Sequence, residues 1–162
     1  MIELLSNVLI DFTNLLWSNL LLQRCVESQK NYTIILADDD FDDAELFQSV
    51  LSEVAPQIKF VHVEDGRDLL RLTETLLPDA VFIDINMPRV DGWQCLKELR
   101  GSMIGERIPV FMYSTSSHTR DQQLSKDLGA SGFITKPSEI KVLHNVLKDI
   151  TQKLLYGDGS AV

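Results

Sequence analysis

The chain has 162 residues, which at roughly 150 residues per domain is one domain with a remainder. Hydrophobic residues at 44% and charged residues at 24% exclude a wholly disordered chain, a collagen and a coiled-coil rod. The net charge of -9 argues against direct nucleic-acid binding, and two cysteines, Cys25 and Cys95, form neither a disulfide framework nor a four-ligand zinc site, so the expected compartment is the cytoplasm.

Residues 1–30 read differently from the rest. Glu3, Asn7, Asp11, Asn14 and Ser18 recur at helical spacing and mark a polar stripe on an otherwise apolar segment. Its longest uncharged run, Phe12 to Gln23, is 12 residues, against roughly 20 needed to span a bilayer. The start Met1-Ile2-Glu3 lacks the basic region of a signal peptide. We read the segment as an appended amphipathic helix or an extra translated stretch. One folded domain is expected at 31–157, with a tail at 158–162.

From residue 31 the pattern alternates. Tyr32 to Ala37 is an apolar run ending at Asp38, as a buried parallel strand does. Phe47, Val50, Leu51 and Val54 follow at helical spacing, and Pro56 closes that helix. Ile58 to Val63 is a second strand, followed from Gly66 by a helix with Leu69, Leu70 and Leu72, closed by Pro78. Ala80 to Ile83 is a third strand ending at Asp84, and Gly92 opens a helix whose apolar face is Cys95, Leu96 and Leu99. Val110 to Tyr113 is a fourth strand ending at Ser114. A weak helix follows, about Arg120 to Leu128, with only Leu124 and Leu128 as large apolar residues. Gly132 to Ile134 is a fifth strand ending near Lys136, and the last helix is expected to bury Ile140, Leu143, Leu147, Ile150 and Leu154. Strands that are apolar throughout, alternating with helices, specify a doubly wound parallel sheet covered on both faces. With the pattern ending after the fifth helix, no effector domain is expected.

Ligands of such a sheet bind beyond the carboxyl ends of its strands. There the sequence places Asp38-Asp39-Asp40, Asp84 and Asn86, Ser114-Thr115, and Lys136-Pro137. Clustered carboxylates repel one another unless they share a cation, and oxygen-only ligands select a hard ion, Mg²⁺. A carboxylate kept ionised by that ion can act as a nucleophile and form an aspartyl phosphate. The transferred group then needs its oxygens neutralised, and the sequence offers one Lys and one hydroxyl for this.

These four motifs, with Asp84-Ile85-Asn86-Met87-Pro88-Arg89-Val90-Asp91-Gly92 among them, resemble the response regulator receiver domain of two-component signalling over roughly Tyr32 to Leu155. The run from Ile108 through Ser117 is most similar to stand-alone receivers, chemotaxis-type or paired with phytochrome-type and hybrid histidine kinases. The resemblance implies a flavodoxin-like five-stranded sheet of order 2-1-3-4-5. It implies Asp84 as the phospho-acceptor, Asp39 as a direct Mg²⁺ ligand, Asp38 acting through water, and Asn86 lending its backbone carbonyl. Ser114 and Lys136 would each hold a phosphoryl oxygen, the Lys136-Pro137 bond would be cis, and Phe133 would be the switch aromatic. Ser114 stands where Thr is commoner, and Phe133 where Tyr is frequent. The implied partners are a sensor histidine kinase or histidine phosphotransfer protein and a downstream protein target, with no nucleic acid, no transmembrane segment, and dimerisation left open. Output would pass through the fourth helix, fifth strand and fifth helix.

Other readings stand beside these. An aspartate-nucleophile phosphatase or mutase places a second Asp two residues after the nucleophile, where this chain has Asn86. A scaffold that keeps only the fold has no use for Asp39, Asp84 and Lys136 together. No phosphate-binding glycine loop follows the first strand, which excludes a nucleotide site of that kind. Asp40, Asp42 and Asp43 are read as helix-start acids, Asp91-Gly92 as a turn, Thr115 as shaping access, and Cys95 and Trp93 as packing residues. His62, His118 and His144 are read as structural or surface residues.

Overall fold

Five apolar runs become five parallel strands. A computed structural model describes residues 31–157; the expectations for residues 1–30 and for the tail lie outside the described residues. The elements are β1 (Thr33–Ala37), α1 (Phe41–Val54), β2 (Lys59–Val63), α2 (Gly66–Leu76), β3 (Ala80–Ile83), α3 (Gly92–Arg100), β4 (Val110–Ser114), α4 (Thr119–Asp127), β5 (Gly132–Thr135) and α5 (Ile140–Tyr156). The sheet order is β2-β1-β3-β4-β5 with every pairing parallel. This is the doubly wound, flavodoxin-like order that the resemblance implies.

The two-residue period of a strand sorts the core into two layers. Ile34, Leu36, Ala80, Phe82 and Tyr113 point to one face, where Phe47 and Leu51 of α1 and Leu143 and Leu147 of α5 cover them. Ile35, Ala37, Val81, Ile83, Val110 and Met112 point to the other, under Leu69 of α2 and Cys95, Leu96 and Leu99 of α3. Burial on both faces explains why these strands lack polar alternation. No helix among the described residues is long and apolar enough to cross a membrane.

Three helices start on an aspartate whose side chain accepts from first-turn N–H groups: Asp40 for α1, Asp65 for α2 and Asp91 for α3. The cap at Asp40 moves the start of α1 to Phe41, ahead of the apolar stripe that begins at Phe47. α4 has neither a side-chain cap nor an apolar face. Ser125 is its one buried residue, and Leu124 is exposed. One expectation is corrected. Ile140 is exposed at the first position of α5, ahead of Leu143 and Leu147, which carry the burial. The segment from Gly105 to Arg107, unmarked in the sequence reading, is a 3-10 turn whose Gly105 and Ile108 carbonyls accept from the Arg100 guanidinium at 2.6 and 3.1 Å.

Gly92 has a packing role that composition does not show. A Cβ there would lie 2.1 Å from the Asp84 carbonyl oxygen and 2.9 Å from Ile85 Cα. Both obstacles are backbone, so neither can swing aside. Gly92→Ala is expected to lower the urea-unfolding free energy by about 3 kcal/mol, the upper end of overpacking costs. A variant as stable as the parent would remove this account.

Candidate functional site

The strand ends are held in line by ladder bonds that continue past each strand. Asp38 N–H donates to the Val63 carbonyl (3.0 Å), Asp84 N–H to Ala37 (2.8 Å) and Lys136 N–H to Ser114 (2.8 Å). Three sequence-distant residues therefore stop at the same rim.

Carboxylate oxygens of Asp38, Asp39 and Asp84 lie within 4.8 Å of one another. Asp38 is wholly buried, Asp84 is 5% exposed, and Asp39 faces solvent. One oxygen of Asp84 accepts from Asn86 N–H at 3.0 Å. The other lies 3.8 Å from Lys136 Nζ. Ser114 is wholly buried, and its Oγ accepts from Ser116 N–H at 3.3 Å. The loop that follows is tied by Ser116 Oγ donating to Asp121 (2.5 Å) and Thr135 Oγ1 donating to the Ser116 carbonyl (3.2 Å). Thr115 is exposed.

Lys136 sits nearer to Asp38 Oδ2 (2.7 Å) and Asp43 Oδ2 (2.8 Å) than to Asp84. The Asp38 contact is ionic, since Oδ2 is enclosed without a well-directed hydrogen bond. Burial alone would weaken the Lys136 ammonium, but bonded Asp38 and Asp43 and the Asp84 charge outweigh it and hold its pKa above the ordinary lysine value. Burial pushes the Asp38 carboxyl up. Lys136 and the Asp40 N–H oppose this without cancelling it, and the Asp84 charge adds to it. Three carboxylates, Asp38, Asp43 and Asp84, thus lie within 4 Å of one ammonium, and Asp39 adds a fourth beside Asp38 and Asp84. That excess of hard oxygen donors, with an enclosed oxygen among them, fits a divalent cation shared by Asp38, Asp39 and Asp84.

Asp43 is a correction to the sequence reading. Asp40 does the capping, while Asp43, one turn into α1, reaches the Lys136 ammonium. Its position three residues beyond the cap is the signal that could have placed it under the rim. Tyr113 was also missed. Its ring lies 5.5 Å below Lys136 Nζ, and burial, with Asp43 and Asp38 adding and Lys136 opposing, pushes its phenol up to about 12. The Lys136–Pro137 bond is trans, as are all described peptide bonds. Lys136 follows directly on β5, with its N–H on the Ser114 carbonyl.

Burial drives the Cys95 thiol up to about 12, which keeps it protonated and suits packing. Trp93 and Phe133 are half-buried against the α2–α3 layer. His62 Nε2 donates to the Asp38 carbonyl at 2.8 Å and braces that loop. Arg89, with φ at 65°, pairs with buried Asp65. Burial would raise the Asp65 carboxyl, but the Asp68 and Arg67 N–H groups and the Arg89 guanidinium hold it below the usual range. Its stabilising effect is present above the ordinary carboxylate value and is lost as pH falls through the lower folded one.

Residues 34–148 match the model of the response regulator receiver domain. The nitrate/nitrite response regulator protein NarL of Escherichia coli K12 is 33% identical over 124 residues, which cover 74% of this chain and 56% of that one. The chain spans about half the length of the curated relatives it matches. The phosphorylated cyanobacterial phytochrome response regulator RcpA superposes with a TM-score of 0.70 at 29% identity, covering 78% of this chain and 95% of that one. The Mn²⁺-bound form of response regulator Rcp1 shares the fold, with a TM-score of 0.67 at 24% identity over 81% of this chain and 98% of its own.

Proposed function

This chain belongs to the response regulator receiver family, a phospho-accepting signalling module of two-component systems and not a metabolic enzyme, and from that premise we propose that it takes a phosphoryl group onto Asp84 from a histidine kinase or histidine phosphotransfer protein. The observation that carries the reading is one convergence: the oxygens of Asp38, Asp39 and Asp84 within 4.8 Å of one another, with an ammonium 3.8 Å from Asp84. A carboxylate attacks phosphorus only while ionised, and this rim would bring a cation and an ammonium to the phosphoryl oxygens it must approach.

Asp38, Asp39, Asp84 and the Asn86 carbonyl would hold the cation, which we assign as Mg²⁺; when bound, it supplies charge to the phosphoryl oxygens. The Asp84 oxygen forms the new bond to phosphorus as the bond to the donor nitrogen breaks, and that nitrogen keeps the electron pair. Lys136 and the Ser114 hydroxyl steady the oxygens without giving up a proton permanently. Asn86 stands where a phosphatase would need its second Asp, so turnover of an outside substrate is not the reading. Incubation with a phosphorylated histidine kinase domain, followed by borohydride trapping and peptide mapping, should recover the modification at Asp84. Recovery on another residue would refute the assignment.

Output is assigned to α4, β5 and α5, with the protein acting through contacts with other proteins. Moving the Ser114 hydroxyl toward a phosphate releases Ser116 N–H, lets Phe133 turn inward and loosens α4, which has little apolar burial to hold it. Amide exchange in Asp121 to Leu128 is expected to change several-fold on adding Mg²⁺ and beryllium trifluoride, a phosphoryl mimic. Equal exchange in both states would rule out this route.

A further inference from the structure

The Lys136 ammonium has two masters. It lies 2.8 Å from Asp43 and 2.7 Å from Asp38, and a full ångström farther, at 3.8 Å, from the carboxylate proposed as phospho-acceptor. Tyr113 supports it from below at 5.5 Å. Asp43 belongs to α1, and nothing in the phosphoryl chemistry requires it. Its side chain is about one-third exposed, while that of Lys136 is 9% exposed, so the pair lies at the mouth of the site. An ammonium has three N–H donors; one is committed to Asp43, and Asp38 holds the charge by ionic contact.

We propose that Asp43 is a positioning residue that holds Lys136 away from Asp84 and thereby slows phosphorylation and shortens the life of the phosphorylated state. The inference rests on the reading of Asp84 as phospho-acceptor. With acetyl phosphate as donor, the Asp84 carboxylate oxygen bonds to phosphorus, and the bond to the acetate oxygen breaks with its electron pair leaving on acetate. Charge is conserved and Lys136 keeps its proton. The ammonium stabilises this step only as far as it turns from Asp43 toward the phosphoryl oxygens. A charge-assisted bond to Asp43 competes directly with that turn. Asp42, the neighbouring acid on the same helical turn, is exposed and provides a built-in comparison, since its charge is similar and its side chain has no contact with Lys136 among the described residues.

The test compares the full chain with Asp43→Asn, Asp43→Glu and Asp42→Asn, in Mg²⁺ and acetyl phosphate, by phosphate-affinity gel for the forward rate and by decay after donor removal. Circular dichroism checks that each variant is folded. Asp43→Asn should phosphorylate about three- to tenfold faster and decay more slowly, the range expected for one partly exposed charge-assisted bond. Asp43→Glu, which keeps a carboxylate within reach, should return toward the parent rate. Asp42→Asn should stay within about twofold of it, as an exposed charge without a close partner does. Equal acceleration by Asp42→Asn would mean that only the general field matters and would overturn the proposal. So would an unchanged or slower Asp43→Asn in a chain that is otherwise phosphorylated. A parent chain that takes no phosphoryl group would instead overturn the reading of Asp84, and this inference with it.

Discussion

Asp84→Asn is expected to abolish the labile phosphoryl adduct that the parent chain forms with acetyl phosphate and Mg²⁺. An amide nitrogen has no free electron pair to offer phosphorus, and an amide oxygen is too weak a nucleophile to replace a carboxylate. The substitution is close to isosteric at a site only 5% exposed, so the fold should survive it. It should do better than survive. Asp84 faces Asp38 and Asp39 across less than 5 Å with one ammonium among them, and removing one of several like charges relieves repulsion that exists for function. A rise of about 1 kcal/mol in unfolding free energy without added Mg²⁺ is the expected size for a relaxed functional site. The two readouts must move oppositely, stability upward and adduct to zero, which a merely damaged protein cannot mimic. Mass spectrometry under mild acid and urea denaturation measure them. An adduct persisting at parent yield would place the acceptor elsewhere. Chelation of the cation by EDTA should match the loss of adduct in the unmutated chain.

Lys136→Met carries the second large effect. The lysine is 9% exposed and answers a wholly buried Asp38. Taking away one partner of a buried pair leaves the other charge without compensation, at a cost of about 3–5 kcal/mol at neutral pH. Methionine fills the volume of the alkyl stem, so the cost is electrostatic and not a cavity. The pH dependence has a definite sign. Asp38 already has a raised pKa from burial, with Lys136 opposing the rise. Without the ammonium it rises further, and the folded variant then binds a proton where the unfolded chain does not. Its stability therefore falls with rising pH from the ordinary carboxylate value upward, and the gap to the parent narrows as pH falls. The parent shows the same fall over a narrower range, because its Asp38 is raised less while Lys136 is present. Its Lys136 has a raised pKa, so that contribution is fully present below the ordinary lysine value and is lost only in strong alkali. Added Mg²⁺ should recover part of the variant's lost stability, since a cation among the same oxygens substitutes for the missing charge, by mass action. Phosphorylation should fall by about 100-fold or more, as when one preorganised charge is removed from a transition state. Denaturation curves identical to the parent across pH would contradict the pairing of Lys136 with buried Asp38.

Much of this was legible in the chain. The strands were readable because burial on both faces leaves no polar position inside them, and each run stops at the residue that reaches the rim: Asp38, Asp84 and Ser114. Asp40 was readable as a cap from its place before α1. The weakness of α4 followed from its lack of apolar residues. Composition and local spacing act through near neighbours, and these features depend on nothing farther away.

The partners of Lys136 were not legible. Asp43 is 93 residues distant, and whether it caps its own helix or reaches across to an ammonium depends on how α1 sits against β5. The same holds for Tyr113 under the ammonium, Gly92 against the Asp84 carbonyl and Arg89 against Asp65. What the sequence by itself determined was the alternation of elements and the residue types that end each strand, because hydrophobic period and capping are local. What only the tertiary structure decided was which charges meet. Coulomb interactions depend on separation in space, and here an ångström separates the carboxylates that hold the lysine from the one it is proposed to serve.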